Sequence, residues 1–284
     1  MVGGYDLGTV VYEALWSPVI LPPAAALVPL LGLTGRRVVV DVGGGTGALL
    51  GAIRSTAPAA RVVALDASAE MLRIAQTRRG AQAVVADALA LPLADQAADA
   101  VILAYVLFHL TDPPLALVEA AWVLRPGGRV AAITWAWKRA SRADTVLDQI
   151  LTEAGASPAP LRRVDAGLDR PAAMEALLSS AGLRPERIWT ERLRHRWDRS
   201  SFWELATGWG ANRVRLSRLD AATHASVLTR VHSRLGQLAP QDYMWEGEII
   251  CAVATKGNSD RAELDNPYAA TRPVDAAPSR SSSL

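Results

Sequence analysis

The chain has 284 residues, half of them hydrophobic and a fifth charged, with a net charge of +2. That is enough to bury a sizeable core, as one large domain or one domain plus a cap, and the near balance of charge leaves no separate basic tail for nucleic acid. A single cysteine, Cys251, excludes an internal disulfide framework and fits a reducing compartment, and no group of His, Cys or acids has metal-ligand spacing, so no metal is expected.

The first strongly apolar stretch is Val19 to Leu33. No Lys or Arg precedes Arg36, so the positive region of a signal peptide is missing, and Pro18, Pro22, Pro23 and Pro29 break a continuous membrane helix. Residues 1–35 are therefore read as a kinked helical cap segment of a soluble, cytoplasmic protein with no membrane partner. Arg37 to Val42 is a β-branched run that reads as a buried parallel strand. Gly47 to Ser55 follows as a helix, Arg61 to Leu65 as a second strand, and Ser68 to Arg78 as a helix capped by Ser68. Ala83 to Ala86 and Asp99 to Ala104 are the third and fourth strands. Asp112-Pro113-Pro114 starts a helix to about Leu124, with Asp112 as N-cap and Pro113 in the first turn. Pro126-Gly127-Gly128 reads as a turn before a fifth strand, Arg129 to Thr134.

After Trp137 the pattern changes. Asp144 to Ala154 and Ala172 to Ala181 look helical, Arg187 to Trp197 extended, Ser201 to Gly208 and Ala221 to Leu235 helical, and Glu246 to Thr255 extended. The run from Arg184 to Arg199 is dense in arginine, but Glu186, Glu191 and Asp198 interrupt it, as on a solvated strand face. Cys251 lies in an apolar run and reads as a buried structural thiol. From residue 257 the chain is rich in Ala, Ser, Pro, Asp and Arg, which reads as a flexible tail. Strand–helix alternation in the first half specifies an α/β fold with a mostly parallel sheet.

Three strands end in an acid. In Val38-Val-Val-Asp-Val-Gly-Gly-Gly-Thr-Gly47, Gly43, Gly45 and Gly47 let the backbone turn sharply and approach a ligand closely. Nicotinamide and flavin folds use such turns too, and Gly43-x-Gly45-x-x-Ala48 meets their fingerprint loosely. Asp41, however, sits just before the glycines. A carboxylate is unwelcome beside a pyrophosphate and suits a ligand with a positive charge and an amino group, such as S-adenosylmethionine (SAM). Asp66 ends the second strand, where a carboxylate can accept both ribose hydroxyls. Asp87 ends the third, where a carboxylate and a neighbouring N–H could read an adenine edge. Each Asp alone could be a turn residue; the spaced set is harder to dismiss.

Together with Ala-Leu-Asp-Ala-Ser-Ala-Glu-Met-Leu, Ala-Asp-Ala-Leu-Ala-Leu-Pro, Val-Leu-Phe-His-Leu and Leu-Arg-Pro-Gly-Gly-Arg, the first motif resembles the class I SAM-dependent methyltransferases, most of all the small-molecule branch that includes quinone-biosynthesis enzymes. The match covers residues 36 to 135 in detail. The resemblance implies a Rossmann-like sheet of seven strands, the last antiparallel. It implies a SAM-binding domain over 36–256, with helical lid segments around 140–182 and 199–240, the latter inserted between the last strands. Asp41, Gly43, Gly45 and Gly47 would surround the methionine part and ribose, and Asp66 would hold the ribose hydroxyls. Ala67 and Met71 would pack on adenine, Asp87 and Ala88 would read its edge, and Ala104 and Tyr105 would face the sulfonium. Tyr5, Tyr12 and Trp16 are candidates to close over the methionine end. His109 stands where the family often has a histidine, as a general base or as a loop-orienting residue; His195, His224 and His232 are the other candidate bases. Trp16, Phe108, Trp135, Trp137, Trp203 and Trp209 could line a flat pocket for an apolar or aromatic small acceptor, or serve as ordinary core packing. The implied activity is methyl transfer by a monomer or homodimer. A cyclase, isomerase or decarboxylase of the same fold, a nicotinamide oxidoreductase and a noncatalytic SAM sensor are the alternatives.

Overall fold

The computed structural model describes residues 8–157 and 168–257. Tyr5 and the tail beyond residue 257 lie outside the described residues, as does part of the first lid segment. Seven strands form one sheet in the order β3-β2-β1-β4-β5-β7-β6. They are β1 (Val38–Val42), β2 (Arg61–Asp66), β3 (Gln82–Val85), β4 (Ala98–Ala104), β5 (Leu124–Arg139), β6 (Leu183–Arg196) and β7 (Met244–Lys256). The first five run parallel, and β7 runs antiparallel between β5 and β6.

The β1 residues are almost all buried because both sheet faces are covered. Val39 joins one apolar core with Ile102 and Ile133, and Val40 and Val42 join the other with Val101 and Leu103. Side chains alternate along a strand, so Asp41 shares the face of Val39. Parallel strands turn outward on either side of β1 and β4, and their carboxyl ends open a crevice at that switch point. At the opposite edge Asp99 accepts from the Arg37 and Val38 amides at 2.8 and 2.9 Å and from Arg125 at 2.8 Å, tying three strands together.

Four expectations need correction. The N-terminal segment is a continuous helix over Thr9–Leu31, long and apolar enough to cross a membrane by length and composition alone. Here it packs Ile20, Leu27, Val28 and Leu31 into the core. Its pitch changes along the way, π over Tyr12–Trp16, α over Ser17–Leu27 and 3-10 over Val28–Leu31; Pro18 and Pro29 stand at the starts of the α and 3-10 stretches, and Pro22 and Pro23 lie inside the α stretch. The helix after the glycine turn begins only at Leu50, because Gly43, Gly45 and Gly47 all have positive φ and hold the chain in a loop. Pro126-Gly127-Gly128 does not separate elements: β5 starts at Leu124, and the turn survives as a register shift opposite Ala98 and Ala100. A helix over Gly210–Leu216 was not expected; it follows directly on the helix Arg199–Gly208.

Candidate cofactor and acceptor site

A cavity of about 640 Å³ opens at the carboxyl ends of β1, β2, β3 and β4, under the N-terminal helix. That volume suits a small-molecule site. The glycine loop is pinned to β2: the Gly43 and Gly44 amides donate to the Leu65 carbonyl at 2.7 and 3.0 Å. Asp66 braces it from the other side, its two carboxylate oxygens accepting from Gly45 N–H at 2.9 Å and Ser68 N–H at 2.8 Å. Ser68 caps the next helix by accepting from the Met71 amide at 3.2 Å. Asp87 turns the chain after β3 by accepting from the Leu89 amide at 2.9 Å.

Asp41 differs from these acids. It is 1% exposed, and neither carboxylate oxygen has a hydrogen-bond partner. Burial, reinforced by the charge of Asp66, pushes its pKa up from 3.8 to about 7. Both Asp41 and Asp99 are buried, yet Asp99 is fully partnered at the structural edge while Asp41 stands unpartnered in the wall of the cavity. An unsatisfied buried carboxylate is expensive to keep in a fold.

On the other side of the crevice the walls become aromatic. Tyr12 and Trp16 of the N-terminal helix, Tyr105, Phe108 and Trp135 all line the cavity. Trp16 lies 6.4 Å from Trp135 and 5.1 Å from Trp245 between ring centres, and Tyr105 lies 5.2 Å from Trp135. Tyr105 has φ 57°, a left-handed backbone that is rare for a bulky residue. Its hydroxyl is buried without a hydrogen-bond partner, and burial pushes its ionisation far above the usual range, so it is a neutral donor. His109 also lines the cavity, with its ring 4.0 Å from that of Phe108. Burial, then the nearby charge of Lys138, lowers its pKa to about 4, so it is neutral at pH 7.

Residues 40–132 match the methyltransferase domain family. The chain carries a class I, SAM-dependent methyltransferase domain. It is 36% identical over 115 residues to the ubiquinone/menaquinone biosynthesis C-methyltransferase UbiE of Dinoroseobacter shibae, an overlap covering 38% of this chain and 46% of that protein. It is 39% identical over 100 residues to the demethylmenaquinone methyltransferase of Thermus thermophilus, covering 34% and 46%. The chain thus spans less than half the length of these relatives. Among solved structures, the [4+2]-cyclase SpnF shares the fold with a TM-score of 0.53 at 20% identity, over 90% of this chain and 95% of that one.

In this methyltransferase domain, Asp41, Gly43, Gly45, Asp66, Ala67, Met71, Asp87, Ala88, Ala104 and Tyr105 come together around the cavity. Gly47 does not line it. Its positive φ is needed for the turn, and a Cβ there would meet Leu50 Cδ1 at 2.3 Å and Ala75 Cβ at 3.1 Å, so it serves close packing. Of the five candidate pocket tryptophans, Trp16 and Trp135 line the cavity with Phe108, while the other three do not. Trp209 sits behind the wall, 5.2 Å from Tyr12 and 6.2 Å from Trp16. Trp203 faces a separate surface groove beside Arg199 and His232. Trp137 donates to Glu248 at 3.1 Å and lies under Arg192. The cause is a β-bulge: Trp135 pairs with Ile249 but Trp137 with Glu248, so the extra residue Ala136 rotates Trp137 away from the face of Trp135. His195, His224 and His232 are not among the cavity-lining residues.

Several wall residues carried no motif. Ser17, Ile20, Leu21 and Ala24 reach the cavity from the N-terminal helix. Glu13, in the π turn, accepts from the Thr46 hydroxyl and pairs with Arg79, while Arg79 donates to the Thr46 carbonyl at 2.9 Å. This latch ties the helix to the glycine loop, and a lone Glu in an apolar stretch was its only sequence trace. Replacing Glu13 with Gln is expected to lower stability by about 1–2 kcal/mol, because it leaves Arg79 without its charge partner. Chemical denaturation measures the change; an unaltered midpoint would remove the latch from the account.

Proposed function

We propose that this protein transfers a methyl group from SAM to a small apolar or aromatic acceptor, by O-, N- or C-methylation, in quinone-type or secondary metabolism. The observation that carries the reading is the unpartnered Asp41 carboxylate at one end of a cavity whose other end is aromatic and holds the unpartnered Tyr105 hydroxyl. The residues fit SAM: a buried anion stands ready for an ammonium group, and the loop is crowded at Gly43 and Gly44. A Cβ on Gly43 would lie 2.7 Å from Val106, and one on Gly44 would lie 3.1 Å from Asp41 Oδ2.

When bound, SAM supplies an electrophilic methyl group. Asp41 would hold the amino group of its methionine part. Asp66, with lone pairs left after its two amide bonds, would accept the ribose hydroxyls. Ala67 and Met71 would pack on the adenine, with Asp87 and Ala88 at its edge. Ala104 and Tyr105 lie at the end of β4, where cofactor half and acceptor half meet. Trp16, Phe108 and Trp135 exclude water from the acceptor half, and a dry site favours a transition state in which charge is dispersed. Alignment by these rigid rings supplies further rate. His109, neutral at pH 7, could accept a proton from the acceptor, or orient the loop after β4.

The test is calorimetric titration with S-adenosylhomocysteine (SAH), followed by an assay of SAH release with SAM and a panel of phenols and hydroquinones. Binding of one SAH per chain and turnover on an aromatic member of the panel are expected. A chain that binds no SAH, or that methylates only polar amino acids or nucleic acid, refutes the reading. Product formation without SAH release would favour a cyclase-like or other non-methylating reaction in the same cofactor half.

A further inference from the structure

The bulge that turns Trp137 outward has a second effect. It brings Lys138, opposite Gly247, onto the same sheet face as Trp135, opposite Ile249. The residue as a whole is exposed, but its ammonium lies 4.9 Å from the ring centre of Trp135 and 5.1 Å from that of Phe108. Both residues line the cavity, and Lys138, which is not itself among the lining residues, packs its ammonium against these two wall rings of the acceptor half. Among the described residues no carboxylate comes within ion-pair distance of it, whereas Arg139 and Arg194 at the same sheet end are both paired with Glu246. The acids of the cavity, Asp41, Asp66 and Asp87, lie at the ends of β1, β2 and β3, on the far side of the switch point. Glu191 is the one acid on β6 opposite Ile249, and it forms no ion pair with Lys138. The rings lower the solvation of the ammonium, in keeping with a pKa depressed to about 8 by burial. Against the same Trp135 ring, the Tyr105 hydroxyl is nine-tenths buried and unpartnered.

We infer that Lys138 and Tyr105 together select an aromatic acceptor bearing an anionic oxygen, such as a carboxylate, phenolate or enolate. Lys138 supplies the counter-charge and Tyr105 the hydrogen bond, while Trp135 and Phe108 take the ring. An anionic acceptor would restore the electrostatic partner that the ammonium lacks, in a setting where partial desolvation strengthens the attraction. The inference rests on the proposed acceptor half being the aromatic end of the cavity.

Two isosteric probes test it, 2-naphthoate and its neutral counterpart 2-naphthamide, titrated calorimetrically into the full chain with and without saturating SAH. The wild type is expected to bind the naphthoate at least about tenfold more tightly than the amide. In Lys138→Gln the preference disappears, in Lys138→Arg it survives, and in Tyr105→Phe both probes weaken while the preference remains. Equal binding of the two probes by the wild type, no binding of naphthoate, or a preference that persists in Lys138→Gln each overturns the inference. SAH titrated into the same samples keeps the two readings apart. Failure of SAH binding defeats the cofactor assignment, whereas normal SAH binding without a charge preference defeats only the acceptor class.

Discussion

Replacing Asp41 with Asn is expected to make the ligand-free protein more stable and to remove most of its affinity for SAH. The carboxylate is 1% exposed, has no hydrogen-bond partner and has its pKa raised from 3.8 to about 7. A carboxyl group with a raised folded pKa contributes its full stability below pH 3.8 and loses it as the pH rises towards 7. By pH 8 the ionised group costs the fold about 4 kcal/mol relative to the neutral form. Asn keeps the shape without the charge, although its amide is still buried, so a net gain of about 2 kcal/mol and a rise of several degrees in Tm are expected at pH 8. Binding should move the other way. A ligand ammonium pairs with the ionised form, so losing the charge should weaken SAH by about a hundredfold or more. The same linkage makes wild-type affinity fall about tenfold per pH unit below 7, while Asp41→Asn shows a flat profile between pH 6 and 8. Asp66 and Tyr12 are the titratable groups facing Asp41 at this end, and Asp66 adds to its raised pKa. Differential scanning calorimetry and titration at pH 6 and 8 read both effects. A variant that is less stable and binds SAH normally would make Asp41 a structural residue.

That a residue can weaken the fold and still be legible in the sequence explains which parts of this site could be read in advance. The strands β1, β2 and β4 announce themselves because both faces are buried, which demands continuous apolar runs; an acid ending such a run stands out against it. Asp41 and Asp66 were visible for that reason; Asp87 follows the largely exposed β3 and was visible only through its spacing from the other two. Helix caps were visible through local chemistry: Ser68 and Asp112 each accept from an amide three residues on. What failed depended on tertiary contacts. Strand periodicity places Trp135 and Trp137 on one face, and a one-residue bulge reverses this, so Trp137 was expected in the pocket and Lys138 was not considered. Gly47 resembles its two cavity-lining neighbours in sequence, but its close contacts are to Leu50 and Ala75. The prolines of the N-terminal segment predicted a kinked helical segment. They could not report that the helix would run on from Thr9 to Leu31 with Pro22 and Pro23 inside its α stretch, or that Glu13 would reach the glycine loop.

The glycine loop permits a sharper separation of folding from binding. Gly43 and Gly45 both have positive φ, 70° and 54°, and both line the cavity, so a conservative reading would treat them alike. Their surroundings differ. A Cβ on Gly43 would lie 2.7 Å from both Cβ and Cγ2 of Val106, a β-branched stem that cannot swing away, and Val106 follows the strained Tyr105. Gly43→Ala therefore combines left-handed backbone strain with a steric conflict that must displace the turn after β4. A loss of about 3–5 kcal/mol is expected, together with SAH binding. A Cβ on Gly45 meets nothing closer than the Gly43 carbonyl at 4.0 Å, and the Gly45 amide can keep its bond to Asp66. Gly45→Ala should cost only about 1 kcal/mol from its backbone conformation, yet its methyl group projects from the loop that lines the cofactor end, so SAH should weaken by tenfold or more. The double variant Gly43→Ala/Val106→Ala removes the opposing stem and should recover part of the lost stability. Urea unfolding and SAH titration on the four proteins measure both quantities. Equal destabilisation by the two single variants, or no recovery in the double variant, would mean that the conflict with Val106 is not what makes Gly43 necessary.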